Sequence, residues 1–117
     1  MIPRYFTAVK DLTATAGGSS GDVVFTCPTN HVAVIKTLNI SNVASSTKKY
    51  SIQWYEAATT TYHTISDETS LAANSNDSYL EGGGCFALKA GDKIVAFEET
   101  SSDFHVIISG DLYFQQT

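Results

Sequence analysis

The sequence predicts an all-β protein, namely a single-domain antiparallel β-sandwich of jelly-roll type with seven to eight strands. In several segments apolar and polar residues alternate, and a strand places every second residue on one face. These segments recur at spacings of about ten residues and are separated by turn-forming residues, as in sandwiches. No segment carries the i, i+3, i+4, i+7 spacing of an amphipathic helix.

The length of 117 residues is that of one domain, so residues 1–117 are predicted to form a single β-sandwich. Residues 1–15 are predicted to form an N-terminal edge strand or contact arm. Within them Arg4–Thr13 is rich in β-formers, and Pro3 stands at its entrance, which is typical of an edge strand.

Three strands are predicted next, over Asp22–Cys27, His31–Ser41 and Lys48–Glu56. The second of these is mostly apolar, which indicates a central position in its sheet. The third alternates strictly and places Tyr50, Ile52 and Trp54 on one face. We expect Trp54 to be the main anchor of the core because it is the largest of these side chains.

A polar region follows a short strand predicted over Tyr62–Ser66. The run Asp67–Ser78 reads DETSLAANSNDS, so few of its side chains can pack in a core. It is predicted to be a long loop with room for one short strand. Because loops carry function more often than cores do, we expect this loop to contact a partner.

A compact turn joins two apolar strands, Cys85–Leu88 and Lys93–Phe97. Gly91 stands where a type II turn needs positive φ, and Asp92 can accept hydrogen bonds from nearby backbone N–H groups. The segment is therefore predicted to be a hairpin or a corner.

The last strand is predicted over Phe104–Phe114, where the even positions are apolar except at Gly110. A glycine at this place predicts a bulge or the close approach of another backbone.

Composition excludes several classes of function. The net charge is −5 with only seven Lys and Arg, so no basic stripe exists for a nucleic acid. No apolar run approaches the roughly 20 residues of a membrane span. No signal peptide is visible, so we expect synthesis in a cytoplasm and reduced, buried Cys27 and Cys85. The alternative is a disulfide between them that forms after release from the cell. Charged residues make up 16%, well below the usual level of about 25%, which favours permanent contact with other proteins.

The polar residues do not form a recognisable catalytic or metal-binding pattern. The histidines at positions 31, 63 and 105 are far apart in sequence, and the alternative to strand-edge histidines is a composite metal site. The run Asn74–Asp77 offers oxygen ligands but lacks the spacing of an EF-hand. The carboxylate pairs Asp67-Glu68 and Glu98-Glu99 are adjacent, so on a strand they point to opposite faces. We therefore predict no catalytic residue, no cofactor and no metal.

Tyrosines are the unusual component of this sequence. A two-layer core of this size cannot contain all of Tyr5, Tyr55, Tyr62, Tyr79 and Tyr113. Some are therefore expected to be exposed, where tyrosine serves carbohydrate stacking or a protein interface.

Two stretches resemble small virion proteins of tailed bacteriophages. One is Val24–Asn42, which reads VFTCPTNHVAVIKTLNISN; the other pairs Tyr79-Leu80-Glu81 with an L-x-x-G-D-x-I turn at Leu88–Ile94. This turn also occurs in other jelly rolls, including trimeric ones of the tumour-necrosis-factor type. The resemblance covers about residues 23–110. It implies a β-sandwich assembled on phage particles, as a head decoration (cement) protein or as part of a tail or fibre, and it supplies no catalytic residues.

The sequence thus predicts a virion structural protein that is not an enzyme, made in the bacterial host cytoplasm. The leading hypothesis is a capsid decoration protein that bridges capsid subunits, with the major capsid protein and itself, as a homotrimer, as partners. The alternatives are a tail or fibre component and a carbohydrate- or receptor-binding module. The residues predicted to contact partners are Ile2, Tyr5, Phe6, Asp67, Glu68, Asn74, Asn76 and Asp77.

Overall fold

The computed structural model describes residues 3–115, and within them the chain forms nine strands and two short 3-10 turns, Gly18–Ser20 and Glu81–Gly83. The strands are β1 (Arg4–Asp11), β2 (Asp22–Thr26), β3 (His31–Asn42), β4 (Lys48–Glu56), β5 (Thr61–Leu71), β6 (Asn76–Tyr79), β7 (Phe86–Leu88), β8 (Lys93–Glu98) and β9 (Phe104–Phe114). The predicted number of seven to eight is exceeded by one because β6 forms within a stretch predicted to be mainly loop.

The strands build two antiparallel sheets. The five-stranded sheet has the order β1-β9-β3-β6, with β7 also paired to β3, and the four-stranded sheet has the order β2-β8-β4-β5. Leaving β7 aside, this order is that of an eight-stranded jelly roll, in which each sheet mixes strands from both ends of the chain. The prediction of an all-β antiparallel sandwich of jelly-roll type is confirmed.

The core lies between the two sheets and is apolar. Its buried members are Leu12, Val24, Cys27, Ala33, Ile35, Leu38, Ile40, Tyr50, Ile52, Leu71, Leu88, Ile94, Ala96, Phe104, Val106 and Ile108. Tyr50 is the largest fully buried side chain, and its ring meets that of Phe104 edge-on with centroids 5.4 Å apart. These two aromatic residues anchor the core.

The prediction that Trp54 is the main anchor of the core was wrong, although its side chain packs against the core. Its side chain is only half-buried and packs beside Phe86 at the margin of the core, with ring centroids 5.9 Å apart. Trp54 lies near the end of β4, whereas Tyr50 lies four residues earlier on the same face of the strand. The alternation gave the face correctly and could not give the depth along the strand.

The inward-facing residues of β3 change parity halfway along the strand. Ala33 and Ile35 face the core first, and Leu38 and Ile40 take over after a register shift between Ile35 and Thr37. The shift lies opposite Gly110 of β9, where an added Cβ would lie 1.9 Å from the Val34 carbonyl oxygen. Both predictions for Gly110 are therefore met, since a bulge in β3 brings its backbone against the glycine.

The turn after β7 is a corner that carries the chain from one sheet to the other. The Asp92 N–H donates to the Lys89 carbonyl at 2.9 Å, and Gly91 has φ of 88°. The Asp92 carboxylate accepts hydrogen bonds from the N–H groups of Lys89 and Ala57, each at 3.0 Å. Since β7 and β8 belong to different sheets, the hairpin alternative is excluded and the predicted turn chemistry holds.

The long loop expected over residues 67–78 is wrong. Strand β5 continues to Leu71 and β6 begins at Asn76, so the connection spans only residues 72–75. Polar residues occupy these strands because β5 and β6 lie at the edges of their sheets, where one face and one side are open to water. A polar composition therefore marks an edge strand here rather than a loop.

The two cysteines differ in environment, and both are free thiols. Cys27 is buried as expected, and burial raises the pKa of its thiol. Cys85 is exposed, which corrects the expectation that both are buried. Within residues 3–115 no helix is long and apolar enough to span a membrane.

Candidate functional site

The most distinctive surface of the molecule is the outer face of the five-stranded sheet. It is formed by residues that point away from the core, and strand register orders them in rows across β1, β9, β3 and β6. The rows are Tyr5–Asp111–Val34, Thr7–Ser109–Thr37, Val9–Ile107–Asn39–Ser78 and Asp11–His105–Ser41–Asn76. We call these residues the outer face.

Three large side chains on the outer face are exposed to solvent. Tyr5 is 87% exposed, Val9 is 61% exposed and Ile107 is 43% exposed. Val9 and Ile107 lie directly opposite each other on neighbouring strands, so their side chains form one apolar patch. Exposed apolar and aromatic groups gathered on one surface are typical of protein interfaces.

Hydroxyl and amide groups surround this patch, and the two central rows carry no charge. Thr7, Ser109 and Thr37 form one such row, in which the hydroxyls of Thr37 and Ser109 are hydrogen-bonded to each other. Removing water from a neutral polar group costs less free energy than removing it from a charged group. The composition of the outer face therefore favours contact with a large flat surface.

The main charges near the centre of the outer face neutralise each other. The Lys36 ammonium lies 2.6 Å from a carboxylate oxygen of Asp111, and the Asp111 side chain is nearly buried. The hydrogen bond to Asp111 raises the pKa of Lys36. Lys36 reaches this position because it stands at the register shift of β3. Beside the pair lies a shallow hollow of about 320 Å³, lined by Tyr5, Phe6, Thr7, Lys36, Ser109, Gly110 and Asp111.

One row combines the residue types of a hydrolytic triad. In it Asp11, His105 and Ser41 follow one another across three strands, and His105 Nε2 lies 3.5 Å from an Asp11 carboxylate oxygen. Among the described residues no hydrogen bond joins His105 to the Ser41 hydroxyl, and both His105 and Asp11 are open to water. The row therefore lacks the contact that would activate a serine nucleophile.

Other chemical groupings are scarce in the described chain. Within residues 3–115 no three His, Cys, Asp or Glu side chains lie close enough to hold a metal ion. A wider groove of about 610 Å³ lies at one end of the sandwich, lined mainly by small apolar residues such as Ala57, Ala87 and Ala90. Its lining also includes Glu56, Lys89, Asp92 and Gln115, and the Asp92 carboxylate is already bonded to the N–H groups of the corner.

The structure separates the residues predicted to contact partners. Ile2 lies outside the described residues. Tyr5 and Asn76 lie on the outer face at its opposite edges, β1 and β6. Asp67 and Glu68 lie on β5 in the other sheet, and Asn74 lies in the turn after it, with φ of 57°.

Two further predicted contact residues point into the sandwich. The Phe6 ring stacks on Phe25 with centroids 4.4 Å apart. The Asp77 carboxylate accepts a hydrogen bond from the Tyr50 hydroxyl at 2.7 Å, and Tyr50 also bonds the Tyr79 hydroxyl. Burial and these hydrogen bonds raise the pKa of Tyr50. Both residues thus join the two sheets, and the contact roles of the whole predicted set stay predictions.

Sequence reasoning overlooked Ile107 and the pair Lys36–Asp111, and it included Val9 only as part of the predicted N-terminal contact arm. Ile107 stands at an odd position of β9, where polar residues otherwise alternate with the core, and this exception was visible in the pattern. Tyr5 and Val9 share a parity in β1, which also predicted a common face. That they meet Ile107 depends on the pairing of β1 with β9, which comes from opposite ends of the chain.

Comparisons with known proteins concern the fold. No family model matches this chain, and no curated protein matches its sequence. A solved structure of Bacillus endospore appendages, described as a family of disulfide-linked pili, matches with a TM-score of 0.58 at 9% identity, over 98% of this chain and 88% of that chain.

Two weaker similarities involve other β-sandwiches. The viral particle of infectious bursal disease virus gives a TM-score of 0.46 at 12% identity, with 94% of this chain spanning 30% of that one. The globular domain of a zebrafish complement protein gives 0.45 at 13% identity, over 91% and 94% of the two chains. At these identities the chain shares only its architecture with the endospore appendage subunit, and that shared fold is a β-sandwich.

Proposed function

We propose that this protein is a non-catalytic structural subunit of an assembled particle, and specifically a capsid decoration protein of a tailed bacteriophage. In this role it binds the major capsid protein and associates with itself as a homotrimer on the virion. The resemblance of Val24–Asn42 to phage virion proteins supports the proposal. So does the fold shared with a protein whose solved structure is that of a pilus.

One observation carries the proposal, namely the bare outer face with its exposed Tyr5, Val9 and Ile107. Contact of an apolar patch with water is unfavourable, and its burial against another protein lowers the free energy of the system. A neutral, hydroxyl-rich surround suits such a contact. The mechanism is mechanical. A rigid sandwich bridges neighbouring subunits, and many weak contacts repeated by symmetry add up through effective concentration.

Counting copies in purified particles tests the proposal. A head decoration protein is expected at on the order of hundreds of copies per particle because capsid sites repeat by symmetry, whereas a tail or fibre component is expected at a handful. A copy number near that of a tail protein would assign the protein to the tail or a fibre instead of the head. Absence of the protein from particles would overturn the structural role altogether.

A matched pair of variants tests the surface itself. Val9→Glu places a charge in the apolar patch, and Val23→Glu places one on β2 of the other sheet, where Val23 is 43% exposed. We expect Val9→Glu to lower capsid occupancy at least about tenfold, because a carboxylate must lose its water in the contact, and Val23→Glu to leave occupancy unchanged. Equal occupancy of both variants would exclude the outer face as the contact.

A carbohydrate-binding role is the second candidate, and the hollow beside Tyr5 is the observation that favours it. The exposed Tyr5 ring offers a stacking surface, and Lys36 and Asp111 offer hydrogen-bonding groups beside it. A glycan array probed with isolated protein tests this function. Binding that is lost in Tyr5→Ala supports it, and no binding to any glycan removes it.

A further inference from the structure

Strand β1 has one open side. It pairs with β9 through eight consecutive positions, from Arg4 opposite Leu112 to Asp11 opposite His105, without any register shift. In the described part of the chain no strand pairs with its other side. A long and regular strand at the edge of a sheet is a template for a further strand.

The hydrogen-bonding groups on the open side can be assigned from the ladder. The Leu12 N–H donates to the Phe104 carbonyl at 2.9 Å, which continues the pairing of β1 with β9. Bonded positions alternate in an antiparallel ladder, so the even residues of β1 bond to β9. The odd residues Tyr5, Thr7 and Val9, with Asp11, therefore direct their N–H and C=O groups to the open side.

The other sheet edges are protected along their length, whereas β1 carries charges only at its ends. Strand β5 has register shifts against β4, carries Asp67 and Glu68, and has Glu68 at φ of 45°. Strand β2 has a shift between Val23 and Phe25. Strands β6 and β7 have only four and three residues. Bulges, charges and shortness are the devices by which proteins prevent edge pairing, and the uncharged stretch of residues 5–9 has none of them.

We propose that β1 of one copy pairs antiparallel with β1 of a second copy, so that the two five-stranded sheets form one continuous sheet across a twofold axis. Paired residues must have the same parity, because only then do both cores lie on the same side of the joined sheet. The same surface is used on both copies, so the contact closes on itself without producing filaments.

Repulsion between like charges distinguishes two possible registers of this pairing. With Ala8 opposite Ala8 of the second copy, Tyr5 faces Asp11 and Thr7 faces Val9, and all four odd residues form ladder hydrogen bonds. Centring the axis on Thr7 instead would set Arg4 directly opposite Lys10, and like charges in this position are destabilising. In the chosen register Lys10 lies opposite Phe6 and Asp11 lies opposite Tyr5, so no two like charges face each other.

The second copy suits this edge although each chain carries a net charge of −5. The central residues of β1 are uncharged, and its charged residues Arg4, Lys10 and Asp11 stand at its ends, away from the twofold axis. Pairing also brings the Val9–Ile107 patches of the two copies together across the axis. This twofold contact is separate from the threefold contact of the proposed homotrimer and joins copies from two different trimers. Its place in a particle rests on the proposed structural function.

Amide hydrogen exchange of the full-length protein at low and high concentration tests the pairing. We expect the amides of Tyr5, Thr7 and Val9 to exchange about tenfold or more slowly at high concentration, since only pairing occupies them. The amides of Phe6, Ala8 and Lys10 bond to β9 and should be protected at both concentrations. Rapid exchange of the odd amides at every concentration would overturn the proposal.

A pair of threonine variants gives the second test, read by sedimentation. Thr7→Lys sets two lysines near each other across the axis, and Thr64→Lys makes the same change at an exposed position of β5. We expect Thr7→Lys to raise the dimer Kd about tenfold or more and Thr64→Lys to leave it unchanged. Equal dimerisation of the two variants, or a wild-type protein that stays monomeric, contradicts the pairing.

The outcomes separate this inference from the proposed function. A protein that dimerises through β1 but is missing from particles would refute the particle role alone. A protein present on particles whose odd β1 amides are never protected would refute the edge pairing alone.

Discussion

The two sheets of the sandwich differ in how their outer surfaces are covered. Residues 13–21, here called the strap, run over the outer surface of the four-stranded sheet. The Gly18 N–H donates to the Gln53 side chain at 2.9 Å, and the Ala14 carbonyl accepts from the Glu98 N–H at 3.0 Å. Val95 points outward from this sheet and is still only 1% exposed. The outer face of the five-stranded sheet has no such cover within residues 3–115.

This difference shows that the outer surface of only one of the two sheets is left exposed. The chain devotes a segment to covering one surface, while Tyr5 and Val9 on the other stay open to water. A free monomer would be more stable if both surfaces were covered, because apolar burial is favourable. The bare surface is the one to which we assign the proposed partner contact.

The largest expected effect comes from the bulge that shapes the outer face. In Gly110→Ala the new methyl group would meet the Val34 carbonyl oxygen at 1.9 Å, and a backbone atom cannot move aside cheaply. We expect a loss of about 3 kcal/mol or more in the free energy of unfolding, measured with urea. Gly84→Ala is the matched control, since its nearest neighbour would lie at 3.6 Å, and it should change stability little.

The covered sheet should respond to pH through Glu98. This side chain is 2% exposed, and burial together with a side-chain hydrogen bond to Asp103 raises its pKa to about 8. Because the folded protein holds this proton more tightly than the unfolded chain, its contribution is fully present below the ordinary pKa of 4.5 and is lost as pH rises through about 8. We expect a loss of a few kcal/mol in the free energy of unfolding between about pH 5 and pH 8.

Glu98→Gln provides the control for this pH dependence. The amide has a similar shape and cannot ionise, so stability should vary less with pH in the variant than in the wild type. Equal pH profiles of the two proteins, measured by urea unfolding, would contradict the assignment to Glu98.

A moderate effect is expected where the strap is fastened. The Asp22 carboxylate accepts hydrogen bonds from the N–H groups of Thr13 at 2.6 Å and Ala14 at 2.8 Å. Asp22→Ala should cost about 1.5–3 kcal/mol, because hydrogen bonds to a charged acceptor are lost, and should speed amide exchange in the strap. Asp11→Ala removes an exposed carboxylate of the bare face and should cost less than about 0.5 kcal/mol. Similar losses in both variants would remove the distinction between the two surfaces.

The smallest effect belongs to the bare face itself. Tyr5→Ala removes a ring that is 87% exposed and should change the unfolding free energy of the isolated protein by less than about 0.5 kcal/mol. Phe6→Ala, one residue along, removes the ring stacked on Phe25 and should cost about 3 kcal/mol. Thermal unfolding of both variants checks the pair, and a strongly destabilised Tyr5→Ala would mean that this tyrosine serves the monomer.

Sequence and structure agree where the information is local. Alternation along residues 104–114 predicted β9 and its buried face, and Gly91 with Asp92 predicted the turn that forms the corner. The prediction and the structure disagree where strand pairing determines whether a segment is a strand or a loop. The polar residues 67–71 belong to a strand because β4 offers them a partner, with Lys49 opposite Ser70 and Tyr50 opposite Thr69. A polar strand and a polar loop have the same composition, so only the neighbour distinguishes them.

The amino-acid sequence by itself determined the fold class, the single bulge-prone glycine of β9 and the absence of a basic surface, because these depend on side-chain period, backbone freedom and charge count. Tertiary structure alone decided which apolar side chains share a surface. Val9 and Ile107 are almost 100 residues apart and become neighbours only because the first strand pairs with the last. It also decided that one sheet is covered by the strap and the other is left bare, since hydrogen bonds such as that from Gly18 to Gln53 join residues distant in sequence.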